Sequence, residues 1–473
     1  MIVALCPSAQ ALDAAQCVAE RADETRLKLA KTGFRKSDAP GMVLIVFGKS
    51  ERYFSFFDGL VQRRGDQLAL TSAWPLGRGS QLFLQMGVLN LAEAKRIRLH
   101  APLLAQLPGA KIQGDPEQVK RITPALLLTH HAGLAQGRLQ GLYQNADVAP
   151  AEIARTPWFL ARPVDQLSGY SNQSGQILQQ LLEHVTAQRY ETWLRSELLE
   201  PLAMSSTQWQ APTAAVQGHR DGRPLMLRST EPALFGAYAS AEELVGLGQY
   251  LLGDRPDVGL APAQRMRMLT SQHQTALDLD VGYGYGFTVT SSERASVGPV
   301  ARVFLDSPGT QGELRLLPQL GIGSLTLANA AEAARPLAES ARGVLDCTLM
   351  QRAQIAPSDD STAPPENILM PKGFQPDAMA TYYSTSGGLI EFEANGDNFD
   401  FDAFGLGFSA RPRADGWFGV RYELFGALPL QFGFLKRVLL RPARMGNQRY
   451  LLGWFFGNRV LLGSTFEQQA LDP

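Results

Sequence analysis

The sequence has no block of lysine or arginine. Its 44 basic residues are balanced by 45 acidic ones, for a formal net charge of −1. Nothing here supports a polyanion-binding surface, so a nucleic-acid role is not expected. Long apolar runs are missing as well: none approaches the roughly 20 residues that carry a helix across a bilayer. Histidine is scarce, six in 473 residues, with no HxH or HExxH grouping. His130 and His131 are adjacent, and adjacent side chains diverge on any regular element. The three cysteines, Cys6, Cys17 and Cys347, have neither metal nor redox spacing. Neither a metal site nor a cofactor is expected.

What is present is ordinary globular material. A hydrophobic content of 45% supports a well-filled core, and 473 residues ask for two or three domains. The first six residues, MIVALC, form a short apolar run, and Ala9-Gln10-Ala11 follows with the small-residue spacing of a signal-peptidase site. Residues 1–20 therefore read as the remnant of a signal peptide or a flexible N-terminus, and the protein as periplasmic or secreted. Cys17 and Cys347 are compatible with one disulfide in such a compartment.

The clearest boundary is the proline-rich polar stretch 356–366, within a linker placed at 351–366. Before it, residues 21–350 mix helical and strand patterns. Residues 43–47 read as a strand with 51–59 as its hairpin partner, and 303–304, 314–317 and 322–327 as further strands. Residues 80–94 are apolar on nearly every face and predict a helix buried all round. Residues 176–185 carry a clean helical stripe. After the linker, 367–473 shows short runs punctuated by Gly and Asp at 389–393, 399–404, 417–424, 450–456 and 459–462, predicting a small all-β domain. The fold class expected is α/β (α+β): an antiparallel sheet flanked by helices, a helical subdomain, and a β-rich C-terminal domain.

Several collinear stretches between about residues 40 and 345 carry a resemblance: Pro40-Gly41-Met42-Val43, the ITPALLLTHHAGL segment ending at Leu134, Tyr170-Ser171-Asn172 followed by LEPLAM to Met204, FGAYASAEE from Phe235, and GYGYGF from Gly282. Together they resemble the β-lactamase-related serine hydrolases, the group of class C β-lactamases and DD-peptidases. The resemblance implies a serine at the start of the buried helix and a lysine three residues on to share its face and take its proton. It also implies a tyrosine opposite as a second proton carrier, and a KTG or HxG motif supplying a cation and backbone N–H groups for the oxyanion.

Matched residue by residue, Arg78-Gly79-Ser80-Gln81-Leu82-Phe83 falls on the family's IGSxxK stretch, placing Ser80 as nucleophile with Phe83 where lysine belongs. No SxxK occurs anywhere in the chain. Tyr170 and Asn172 match the second motif. Asp306 to Gly312 falls on HxGGTPG, so Asp306 replaces the cation, and Gly309 lies in the loop that would border the ligand. Lys95 is too far along the helix to substitute. A site that stabilises developing negative charge has lost positive charge and gained an anion.

The expected function is accordingly a homologue of these hydrolases impaired or inactive in acyl transfer, retaining a cleft for a peptide or acyl ligand. Two alternatives stand beside it. One is a divergent serine esterase or peptidase using Ser80 and Tyr170. The other is an interaction protein presenting Trp417, Phe418, Phe425, Trp454, Phe455 and Phe456 from the C-terminal domain. Oligomeric state is left open.

Overall fold

The computed structural model describes residues 16–17, 20–21, 23–24, 27, 41–62, 64–136, 143–145, 157–225, 227–229, 231–255, 257–291, 297–353, 355, 367–385, 388–403, 406–424, 428–430, 438–455 and 458–465. The stretch 356–366 and nearly all of 1–20 lie outside them. The chain divides into two compact units, the second comprising His273–Gly282, Thr290–Ala295 and Asp359–Pro473.

The first unit is built on a strand that is apolar on both faces. In β1 (Met42–Gly48) every residue is buried. Val43, Ile45 and Phe47 enter one core, while Met42, Leu44 and Val46 enter another. Period-two alternation thus feeds two layers at once, as expected of a strand covered on both sides. β1 pairs antiparallel with β2 (Arg52–Asp58), the hairpin partner anticipated from sequence. The sheet's other members are β3 (Val281–Tyr283), β4 (Thr288–Ser291), β5 (Pro299–Phe304), β6 (Gln311–Leu317) and β7 (Ile322–Ala328), of which Val281–Gly282 and Thr290–Ser291 fall in the second unit. Their order is β3-β4-β5-β6-β7-β1-β2, so the N-terminal hairpin joins the sheet beside a strand from the C-terminal end of the unit.

Helix α1 (Gln81–Glu93) has buried residues all round, including Leu82, Leu84, Met86, Val88 and Leu89. Helix α2 (Asn172–Thr186) buries Ile177, Leu178, Leu181 and Leu182 as one stripe; Ser171 caps it, its Oγ accepting from Ser174 N–H at 3.4 Å. Helix α3 (Ala241–Leu252) begins with a capping box between Ser240 and Glu243 and ends at left-handed Gly253. Helix α4 (Ala334–Ala353) supplies Val344, Leu345, Cys347 and Leu349 to the second core.

Cys17 and Cys347 form a disulfide, Cα atoms 5.7 Å apart and 330 residues apart in sequence. It clips the N-terminal segment to α4. Cys347→Ser is expected to lower unfolding free energy by about 2–4 kcal/mol, the usual worth of a native disulfide, read as a lower urea midpoint. An unchanged midpoint would show that the clip carries no stability.

The second unit closes on itself. Of the ten described strands in its sheet, eight form the closed circuit: β8 (Tyr382–Thr385), β9 (Gly388–Asn395), β10 (Asn398–Ala403), β11 (Leu406–Pro412), β12 (Phe418–Leu424), β13 (Val438–Met445), β14 (Gln448–Phe455) and β15 (Asn458–Ser464). Each pairs antiparallel with the next, and β15 returns to β8, making an up-and-down barrel. Tyr383, Phe392, Ala410, Val420, Leu440 and Leu451 share one core cluster. Trp417, Leu439 and Leu452 share another with Ile368 and Phe374. The segment His273–Gly282 belongs here, which a contiguous boundary near residue 350 did not anticipate. Leu277 and Leu279 pack on the Trp417 cluster. Arg459 clasps Asp280 through Nη2 at 2.7 Å and Nε at 2.9 Å.

Candidate functional site

Arg78, just before the largely apolar helix α1, and Gln81 and Gln85 within it are polar and separated by three and four residues. That spacing puts them on one face. They form one wall of a cavity of about 210 Å³ whose lining lies wholly in the first unit. Arg78 stands in the 3-10 turn Gly77–Ser80 that leads into α1. Leu82 and Leu128 add apolar surface, Tyr170 and His130 contribute aromatic rings, and the rest comes from Tyr283–Thr288 and from Arg302, Val303 and Phe304 on β5.

Gln81 donates from Nε2 to the Tyr170 hydroxyl oxygen at 2.5 Å. Burial pushes the Tyr170 phenol up to about 12; the Gln81 bond and the Arg78 charge oppose this, and Glu231 adds to it. Tyr170 therefore keeps its proton at neutral pH. It can donate a hydrogen bond but is no base. The Arg78 guanidinium pairs with the Asp306 carboxylate and lies 4.8 Å over the Phe304 ring. Gly312 N–H donates to Asp306 Oδ1 at 3.2 Å, fixing the carboxylate from the other side. A guanidinium is always charged, so Arg78 cannot take a proton either.

His130 adopts a left-handed φ of 60°. This departs from any regular element and brings both histidine rings against Tyr283, at 5.8 Å for His130 and 6.1 Å for His131, instead of letting them diverge. Burial pulls the His130 pKa down to about 4, helped by the neighbouring His131. The cavity thus holds a neutral imidazole at physiological pH.

The sequence-based candidates fare unequally. Ser80 is fully buried, accepts from Ala237 N–H at 3.0 Å and does not line the cavity. Phe83 is core filling at 1% exposure, its ring edge-on to Trp209 at 6.1 Å. The expectation that these two face the ligand is corrected. Two helical residues turn the chain by about 200°, so a face holding 78, 81 and 85 sends 80 and 83 to the opposite side. The i, i+3 pair that faces the cavity is Arg78 and Gln81. Tyr170 lines it as anticipated, and Asp306 adjoins it through Arg78. Asn172, at the first position of α2, is buried and does not line it; neither its Oδ1 nor its Nδ2 has a partner among the described residues. Gly309 lies outside the lining too, its carbonyl accepting from His219 N–H at 3.0 Å. Lys95 is exposed beyond the far end of α1. Of the C-terminal aromatics, Trp417 is fully buried and donates from Nε1 to Ile368 O at 3.2 Å, which makes it core. Phe425, Phe456 and the side chain of Phe455 lie outside the described residues.

Sequence reasoning missed Arg78, Gln81, Gln85, Tyr283 and Arg302, and read His130 as structural. The first three could have been found from the polar stripe on an apolar helix.

A family model described as Beta-lactamase matches residues 15–346. Among solved structures, an octameric penicillin-binding protein homologue from Pyrococcus abyssi is similar, at 16% identity and a TM-score of 0.60, over 94% of this chain and 99% of that one. SurE is similar at 18% identity and a TM-score of 0.60, over 94% of this chain and 99% of that one. At such identities the likeness is one of fold. No curated protein matches.

Proposed function

Since the chain belongs to the Beta-lactamase family, a family of serine hydrolases, we propose that it is a member that binds a small acyl or peptide ligand without forming an acyl-enzyme. One observation carries the reading: the turn into α1 and the start of α1 present Arg78 and Gln81 to the cavity, and no serine, cysteine or lysine lines the cavity among the described residues. Neither side chain attacks a carbonyl or removes a proton. Tyr170, the phenol matched to the family's second motif, is held protonated, and the His130 imidazole, lowered to about 4 by burial, is a weak base. Losing nucleophile and base together removes the covalent route rather than slowing it.

The retained cavity supports a binding role. SurE has also been solved with D-Leu, at 18% identity and a TM-score of 0.60 to this chain. A ligand of that size suits about 210 Å³. The Cys17–Cys347 disulfide supports a periplasmic or secreted location, where such bonds persist.

The test is intact-mass spectrometry after incubation with benzylpenicillin and with a fluorophosphonate. The expected result is an unchanged mass, identical for wild type and Ser80→Ala. An adduct that maps to Ser80 would overturn the reading in favour of a divergent esterase.

A further inference from the structure

We propose that the barrel of the second unit holds one slender, uncharged apolar molecule, an alkyl chain or a fused ring, against a row of inward-facing aromatic side chains. The site is separate from the cavity of the first unit and does not depend on the reading given for it.

Phe392 on β9, Phe401 on β10, Phe408 on β11 and Tyr422 on β12 stand opposite one another in register across four consecutive strands. Their ring centroids are 4.9, 5.5 and 5.9 Å apart in turn, and Tyr383 on β8 extends the row at 5.8 Å from Phe392. The row faces the interior, because it shares one core cluster with Ala410, Leu440 and Leu451 from β11, β13 and β14. Successive residues of a strand face opposite sides. The charged residues Glu391, Glu393, Asp400, Asp402 and Arg421 all fall on the outward positions, and no inward position of β9 to β12 carries a charge.

The interior is unevenly filled. Tyr383 and Phe392 are buried, at 0% and 3% exposure. Ala410 and Val420, two residues along from Phe408 and Tyr422, are buried as well and close the floor. Phe401, Phe408 and Tyr422 are only half-buried. Inward rings of a closed barrel meet water only where the interior is not packed. A ligand lying on them supplies the apolar contact that the chain leaves unmade.

Two features fix the occupant. Eight strands enclose a space no wider than one small ligand, so the surface of another macromolecule cannot enter. A charged group would lose its water among these rings and find no charged partner there. An uncharged apolar molecule satisfies both conditions.

Fluorescence titration of the full chain with N-phenyl-1-naphthylamine, a neutral dye that brightens in apolar surroundings, tests the proposal. About one dye per chain is expected to bind and to be released by dodecanol. Dodecanoate, with the same chain and an ionised head, should compete at least about tenfold less well. Phe408→Trp fills the space beside Phe401 and should weaken the dye at least about tenfold, with native circular dichroism as the control for folding. A photoreactive diazirine analogue of dodecanol locates the site on the wild type, and its labelled peptides should come from β10 to β12. The proposal is overturned by a wild type that never brightens the dye, by labelling confined to the first unit, by dodecanoate matching dodecanol, or by a natively folded Phe408→Trp variant that binds as the wild type does.

Discussion

The double variant Arg78→Ser/Gln81→Lys is expected to form a covalent adduct with benzylpenicillin and with a fluorophosphonate, where the wild type forms none. Positions 78, in the turn leading into α1, and 81, at its start, both line the cavity. The terminal nitrogen of residue 81 already lies 2.5 Å from the Tyr170 oxygen, so a lysine there would set its amine beside the phenol. An ammonium at that distance favours the phenolate and draws Tyr170 down from about 12. The hydroxyl introduced at position 78 would attack the lactam carbonyl, its proton passing through the lysine and Tyr170 to the ring nitrogen as the C–N bond breaks. The single Arg78→Ser variant supplies a hydroxyl without a base and should label at least about 10²-fold more slowly than the double one. Removing Arg78 also leaves Asp306 without its cation, next to where negative charge builds. Adding Asp306→Asn should therefore accelerate labelling further. If the double and triple variants keep native circular dichroism and never gain mass, the cavity did not retain acylating geometry, and the register of Arg78 and Gln81 derived above is wrong.

The central sheet was open to sequence reasoning because its strands are short apolar runs bounded by glycine or charge. β1 and β7 are buried along their whole length, and the only polar side chains in them are the small Ser324 and Thr326 of β7. The barrel was only partly visible. β13 carries Arg441, Pro442 and Arg444 inside a strand, which breaks alternation and places a residue that normally demotes a strand. In β11, Ser409 and its neighbour Ala410 are both buried, so burial does not alternate along the strand. The site failed for a different reason. Arg78-Gly79-Ser80-Gln81 contains a serine, and matching letters to a motif favours the serine; matching helical phase favours the polar residues at 78, 81 and 85. Phase is the better guide because it reports which side chains a helix can present together. The partnership of Arg78 with Asp306 spans 228 residues and is set by tertiary packing alone, beyond the reach of local pattern. His130 was misjudged because a left-handed backbone at a histidine leaves no mark in composition.

Gly77→Ala is expected to destabilise the first unit by about 2–5 kcal/mol and to abolish ligand binding with it. Gly77 has φ of +50°, and a Cβ built there would stand 1.6 Å from the Asp306 carbonyl oxygen, 2.4 Å from its carbon and 2.9 Å from the Ser307 Cα. All three are backbone atoms, with no side-chain rotation to relieve them. A left-handed alanine costs about 1–2 kcal/mol, and overpacking against a fixed strand end about 1–3 kcal/mol more. The relief available is to part the 3-10 turn from β5. That would stretch the bond from Arg78 N–H to Asp306 O, already 3.3 Å, and draw the Arg78 guanidinium off Asp306 and Phe304. The close approach that forbids a side chain at 77 is thus the same one that builds the cavity wall. Gly109 is the control: a Cβ there meets nothing within 4 Å, and Gly109→Ala should be neutral or slightly stabilising through the unfolded chain. Urea unfolding of the two variants decides the matter. Equal midpoints would mean that the turn and the strand are not held in contact in solution, and that the cavity wall derived from that contact does not exist.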